Sequence, residues 1–231
     1  MNIASFQKFT MVDYPGHVAA TVFTIGCNFR CSFCHNPELV LGTASLGGDG
    51  MLKDFFKFLR ARKGKLEAVC ITGGEPTLQK DLLDFMAEIK KLGYLVKLDT
   101  NGTRPDLIKK ALDNKIVDYI AMDIKNSLKN YEKTVCAKVD LDRIKMSVEL
   151  IKNSSIDYDF RTTVVPGIHS EKDFDDIVEW IGGAKRYFLQ RFRDAKILDE
   201  NLRSKTRGKE LDLEKIKKRI EKNFGLVGIR G

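Results

Sequence analysis

The sequence predicts an α/β fold, a partial barrel of six β/α units open on one side. Nearly continuous apolar runs alternate with stretches of helical periodicity, the pattern of a parallel sheet covered by helices. About six such units fit in the 231 residues, and a closed eight-stranded barrel typically takes ~250 or more. Polar or glycine-rich residues follow each strand-like run, at the end where such folds bind ligands. A flat doubly wound sheet is the competing architecture, and periodicity does not separate the two.

The elements read as follows. AATVFTI (19–25) is apolar and β-branched and reads as a buried strand. MLKDFFKFLRAR (51–62) has helical spacing, and EAVCIT (67–72) is a second buried strand. LQKDLLDFMAEIKKLG (78–93) is a helix that stops at a glycine. YLVKLDT (94–100) is a third strand, and RPDLIKKALDN (104–114) is a helix with Pro105 in its first turn. VDYIAMDIK (117–125) is a fourth strand and LDRIKMSVELIKN (141–153) a helix. YDFRTTVVPG (158–167), EKDFDDIVEWIGG (171–183) and KRYFLQRF (185–192) add a strand, a helix and a sixth strand. A last helix (211–223) and the short tail GLVGIRG follow. The length suits a single domain over 1–231, with a core of about 17–193 and a C-terminal helix and tail over 194–231.

The chain is 43% hydrophobic and 31% charged, with a net charge of +8. Its basic residues are interleaved with apolar ones in KDFFKFLRARKGK and EKIKKRIEKNF. They read as solvated helix faces, so no nucleic-acid partner is expected. MNIASFQKFTMVDYPGHVAA lacks the basic stretch and apolar run of a secretory signal. No run approaches the ~20 apolar residues of a membrane-spanning helix. The expectation is a cytoplasmic protein with no membrane partner, whose cysteines stay reduced. Clustered cysteines there point to metal binding or catalysis.

Three of the five cysteines, Cys27, Cys31 and Cys34, crowd into GCNFRCSFCHNPEL (26–39). A structural zinc site takes four ligands. Cys70, in AVCIT, reads as core packing, and Cys136, in KTVCAKV, as an inert thiol. His35 adjoins Cys34, but direct neighbours seldom chelate one tetrahedral metal. A 4Fe–4S cluster has four irons, and ferredoxin-type carriers fill all four with cysteine. Three cysteines leave one iron open to a substrate, which argues for a catalytic cluster.

The Cys-x3-Cys-x2-Cys spacing, with Phe33 before the third cysteine, and GGEP (73–76) after the second strand resemble the radical S-adenosylmethionine enzymes. DYPGHVAATVFTIGCNFRCSFCHNPELV is similar to the start of glycyl-radical-enzyme activating enzymes, those of anaerobic ribonucleoside-triphosphate reductase above all. LDTNG, MDIK and VVPG resemble segments of the pyruvate formate-lyase activating enzyme. The likeness covers roughly residues 10 to 193. It implies a barrel of the radical S-adenosylmethionine type and an oxidoreductase that cleaves S-adenosylmethionine reductively to a 5′-deoxyadenosyl radical. That radical would take a hydrogen from a glycine of a partner enzyme.

The resemblance also implies a site. Cys27, Cys31 and Cys34 would hold the cluster, and S-adenosylmethionine would chelate the free iron. Gly73 and Gly74 would let backbone approach the cofactor's ammonium, with Glu75 either a carboxylate partner or a loop brace. Phe33 and His35 would border the adenine. Asp99, Thr100, Asn101, Asp123 and Lys125 would face the same mouth, with a monovalent cation allowed between the carboxylates. A flavodoxin- or ferredoxin-like donor would supply electrons. The chain departs from the pattern at YFLQRFR, where the related activases carry a histidine; Gln190, Arg191 or Arg193 are the substitutes, and His169 is a further rim candidate. Activation of another glycyl-radical enzyme, such as pyruvate formate-lyase, or turnover of a small molecule are the alternatives.

Overall fold

A computed structural model describes residues 1–44 and 48–231. Its centre is an eight-stranded sheet whose spatial order equals its chain order, β1 to β8. The strands are β1 (Ile3–Thr10), β2 (Ala19–Thr24), β3 (Ala68–Gly73), β4 (Leu95–Thr100), β5 (Tyr119–Asp123), β6 (Asp157–Val164), β7 (Tyr187–Arg191) and β8 (Val227–Arg230). β1 runs antiparallel to β2, and every later pair is parallel. The order settles the choice left open by periodicity. A doubly wound sheet reverses direction at a switch point. Here each crossover advances the same way, and crossovers of one hand then put the helices on one face. β1 and β8 are the two edges, so the sheet is open.

The six expected strands are β2 to β7. The two edges are additions that the apolar-run criterion passes over. β1 has only scattered apolar residues, and Phe6 is its anchor, 5.3 Å from the Phe55 ring. β8 is four residues long and contains a glycine.

Nine α-helices are described: α1 (Pro37–Leu41), α2 (Gly48–Ala61), α3 (Leu82–Lys91), α4 (Pro105–Asp113), α5 (Tyr131–Val135), α6 (Leu141–Lys152), α7 (Glu171–Ile181), α8 (Leu202–Thr206) and α9 (Leu213–Ile220). The long ones form because apolar residues recur along one stripe. In α3 the buried set is Leu82, Phe85, Met86 and Ile89. In α6 it is Ile144, Ser147, Val148 and Ile151, and Asp140 caps the start by accepting from the Asp142 and Arg143 amides. None of the described helices is long and apolar enough to cross a membrane.

The outward strand residues meet these stripes. Val22, Ile71, Leu98, Ile120, Met122, Phe160 and Leu189 are all buried in one continuous core. The opposite face of the sheet is polar. Pairing runs one inner row from Thr21 through Cys70 and Lys97 to Tyr119. Higher on this face lie Asp99, Asp123, Asp159 and Arg161. The floor beneath them, toward the strand starts, is a small apolar cluster of Tyr14, Ala19, Ala68, Tyr119 and Ala121. Tyr14 belongs to the DYPG stretch, which therefore closes the end of the sheet opposite the cysteines.

Cys70 is buried, but in this inner polar row and not among the helix-facing core. Lys97 Nζ lies 3.6 Å from its sulfur. Period two explains the difference, because Val69 and Ile71 take the outward positions. Cys70→Ala is expected to cost about 1–3 kcal/mol, as a buried large-to-small change does, with iron content unchanged. Denaturant unfolding and iron analysis check both parts; loss of iron would make Cys70 a ligand.

Candidate active site

At the carboxyl ends of β2 to β6 lies a cavity of about 230 Å³. Its lining includes Cys27, Cys31, Cys34, Phe33, His35, Gly73, Gly74, Glu75, Asp99, Thr100, Asn101, Asp123 and Lys125. Thirteen of the fourteen residues expected from the sequence thus share one cavity; Gln190 is the exception. It sits one strand beyond the wall, its Oε1 3.5 Å from the hydroxyl of Thr163, which does line the cavity. Arg191 and Arg193 are exposed. His169 is buried beneath the rim, with Nε2 2.9 Å from the Lys125 carbonyl oxygen and the Val165 amide donating to Nδ1 at 3.0 Å. Burial holds its pKa below the ordinary histidine value, and it fixes the backbone that follows β5.

The cysteine loop is tied on every side. The Gly26 amide donates to the Leu39 carbonyl at 2.8 Å, and the Arg30 amide to the Val135 carbonyl at 2.8 Å. Arg30 also folds back on the loop, donating to the Cys27 carbonyl at 2.6 Å. Burial pushes the Cys27 thiol up to about 11 and the Cys31 thiol up to about 12. Those two thiols give up their protons when a metal group binds them, as thiolate ligation requires. Among the described residues no three His, Cys, Asp or Glu side chains converge on a single metal-ion position. A cluster does not ask for that, since each thiolate holds a different iron. Three soft donors on one wall of a shared cavity fit a 4Fe–4S cluster.

Gly73 and Gly74 are explained first by the neighbouring strand. Gly73 has φ +119°, and a Cβ there would meet the Thr24 amide nitrogen at 2.3 Å. A Cβ on Gly74 would meet the Gly26 carbonyl oxygen at 2.1 Å. The close approach is used by backbone hydrogen bonds, Gly74 N to Thr24 O at 2.9 Å and Glu75 N to Gly26 O at 2.7 Å. Glu75 is a brace. Its buried carboxylate accepts from the Thr77 amide at 3.1 Å and hydroxyl at 2.5 Å, the Thr100 hydroxyl at 2.7 Å and the Asn101 amide at 2.6 Å. Burial raises its pKa, and these donors work against that rise. Asn101 extends the brace, donating to Asn28 Oδ1 at 2.8 Å across to the cysteine loop.

The electrostatic centre is Arg161, which the sequence reading left unmarked in YDFRTT. Its Nη2 lies 3.0 Å from Asp99 Oδ2, and its Nε donates to Asp123 Oδ1 at 2.5 Å. Lys97 pairs with Asp99, and Lys125 donates to Asp123 Oδ2 at 2.8 Å. Burial alone would raise the Asp123 pKa, but Arg161 and Lys125 overcome it and hold the carboxyl well below the usual range. Asp99 is lowered in the same way by Arg161 and Lys97 against its burial. Burial opposes the charge on Lys125, and Asp123 more than offsets it, so the ammonium is held well above its ordinary value. Arg161 supplies the positive charge that bridges the two carboxylates, the role a monovalent cation would have between them. An arginine at an inward position, in register with Asp123 on the next strand, was the available signal.

Two outcomes follow from this geometry. Gly74→Ala should destabilise the fold by about 2–4 kcal/mol, because the obstructing atom is backbone, the Gly26 carbonyl oxygen at the start of the cysteine loop; urea unfolding reads it. Arg161→Met should cost about 3–5 kcal/mol at pH 7, as stranding buried charges does. The sign of its pH dependence is set by the carboxylates. In the native protein their folded pKa values are depressed, so their contribution is present above the unfolded value and lost on acidification. In the variant burial dominates and the folded values rise, so stability is lost as pH increases. The gap between the two proteins should widen from pH 4 to pH 7 in denaturant titrations; a constant gap would assign Arg161 to packing.

The radical SAM superfamily model matches residues 21–181. A Methanocaldococcus jannaschii protein named "putative glycyl-radical enzyme activating enzyme" is 32% identical over 234 residues, covering 99% of this chain and 95% of that protein. The pyruvate formate-lyase-activating enzyme of Clostridium pasteurianum is 32% identical over 127 residues, 54% of this chain and 52% of that enzyme. Streptococcus suis SuiB bound to S-adenosylmethionine shares the fold, with a TM-score of 0.65 at 16% identity over 90% of this chain and 48% of SuiB. The chain spans nearly all of the archaeal relative and about half of the other two. With its three thiols on one cavity wall at the head of an open parallel sheet, the chain belongs to the radical S-adenosylmethionine superfamily and, within it, to the glycyl-radical-enzyme activating enzymes, whose cofactors are a 4Fe–4S cluster and S-adenosylmethionine.

Proposed function

We propose that this enzyme installs a glycyl radical on anaerobic ribonucleoside-triphosphate reductase, with pyruvate formate-lyase as the second candidate, in the cytoplasm and with a flavodoxin- or ferredoxin-like donor. The observation that carries the reading is the shared cavity, where three cysteine thiols face a glycine-rich turn and no fourth cysteine enters the lining. The stretch from DYPG to CHNPELV favours the reductase as partner.

Cys27, Cys31 and Cys34 hold the cluster. When bound, the cluster and S-adenosylmethionine would supply the one-electron chemistry that removes a hydrogen from a glycine of the partner. The protein's part is binding, orientation and exclusion of side reactions. Phe33 and Phe29, both buried against the cysteine loop, keep water from its inner side. Glu75 fixes the turn after β3 and the loop after β4 as one unit, so Gly73 and Gly74 present rigid backbone to the ligand. Lys125 and Arg161 offer cations, and Asp99 and Asp123 carboxylates, already oriented by one another for the polar ends of S-adenosylmethionine. The opening between β1 and β8 leaves a side on which a polypeptide loop can enter.

The test is anaerobic incubation of the cluster-loaded protein with dithionite, S-adenosylmethionine and each candidate partner. 5′-Deoxyadenosine should form, and a glycyl doublet should appear in the electron spin resonance spectrum of one partner. Cys27→Ala, Cys31→Ala and Cys34→Ala should each abolish both signals and lose iron. A loaded cluster that never yields 5′-deoxyadenosine would sink the chemistry. Turnover of a small molecule with no partner present would sink the protein substrate.

A further inference from the structure

The segment from the last residue of β7 onward carries charge that the function above does not use. Residues 191–209 contain seven Lys and Arg against three Asp and Glu, an excess of four in a chain whose net charge is +8. The segment folds as a shelf against the outer side of the cysteine loop. The His35 ring stacks on Phe192, with centroids 5.8 Å apart and planes 13° from parallel. His35 Nε2 is 2.9 Å from the Arg193 carbonyl oxygen, and the Asp199 amide donates to the Ser32 carbonyl at 3.0 Å. Lys196 pairs with Glu38 at 2.8 Å.

Beside these contacts the shelf opens into a cleft of about 740 Å³, with Arg191, Phe192, Arg207 and Lys209 in its wall. Arg203, also in the wall, is neutralised by Asp194 and Glu200. Arg191, Arg207 and Lys209 have no carboxylate within ion-pair reach among the described side chains, and Glu210 is the other acid of the lining. Phe192 thus has one side on the cleft and the other on His35, which is bonded to Cys34.

We propose that this shelf is the docking surface for a small acidic one-electron carrier protein, a step that rests on the cluster reading above. Unpaired cations on an exposed rim act through steering and orientation of an oppositely charged partner. The shelf abuts the loop of Cys34 through Ser32 and His35, and its cleft shares no lining residue with the cavity of the three cysteines. A carrier seated there gives up one electron and the cluster gains one, with no bond made or broken. Small, salt-sensitive interfaces suit such encounters. An acidic segment of the protein substrate and a nucleic acid are the rival occupants.

The experiment uses the full chain with its cluster assembled, an acidic bacterial flavodoxin as probe, and the Arg207→Glu/Lys209→Glu variant. Two readouts are taken: flavodoxin affinity as a function of salt, and the rate of cluster bleaching by flavodoxin hydroquinone or by dithionite. Affinity should fall steeply with salt and drop about tenfold or more in the variant, consistent with loss of charge complementarity. Bleaching by flavodoxin should slow in parallel, while bleaching by dithionite is unchanged. Arg207→Gln/Lys209→Gln should fall between the two proteins. Unchanged flavodoxin affinity in the variant, or equal slowing with dithionite, overturns the proposal. So does a variant that loses affinity only for the glycyl-radical partner or for duplex RNA. Failure to form 5′-deoxyadenosine with dithionite counts against the proposed function alone, because binding and bleaching are read without it.

Discussion

A buried guanidinium between two buried carboxylates organises the site. Arg161 on β6 reaches Asp99 on β4 and Asp123 on β5, so one side chain ties three strands at the end where the cavity opens. Removing these charges from water is expensive, and they stay ionised only because each has a partner of opposite sign. Lys97 and Lys125 complete a chain of alternating charge. The polar inner face is a consequence of that chain. A sheet with helices on one side only must cover its other face or make it wet and functional. Here the floor is closed by Tyr14 and Tyr119, and the remainder is given to charge.

The loops that frame the cavity are joined by backbone and short side chains more than by apolar packing. Gly73 and Gly74 allow β3 to lie against the start of the cysteine loop, and Glu75 fastens the turn after β3 to the loop after β4. Asn28 and Asn101 close the ring back to the cysteines. Residues that a motif reading assigns to the ligand are therefore also committed to one another. That suits radical chemistry, in which the protein's contribution is placement held before the reaction begins.

Much of this was legible from sequence, for identifiable reasons. β2 to β7 announce themselves because each is a short run with apolar residues at its outward positions, closed by polar or glycine-rich residues. The cysteine spacing and GGEP are local and need no tertiary knowledge. Arg161 and Lys97 were hidden because the meaning of each depends on which strand face it takes and on its register with other strands. Cys70 looked like core for the same reason, since AVCIT does not say which parity faces outward. DYPG marked the family but lies at the floor, remote from the cysteines. The shelf of residues 191–209 has no periodicity at all, and only its contacts with Ser32, His35 and Glu38 give it a place.

Those contacts also bear on how the protein is made. The ribosome releases the cysteine loop early, while the Arg193 carbonyl that meets His35 comes 158 residues later. Domains generally fold as units. Until the shelf is made, the thiol loop lacks the partners that Phe192, Arg193, Lys196 and Asp199 supply. The outer contacts of the thiol loop are therefore among the last to become possible as the chain is made.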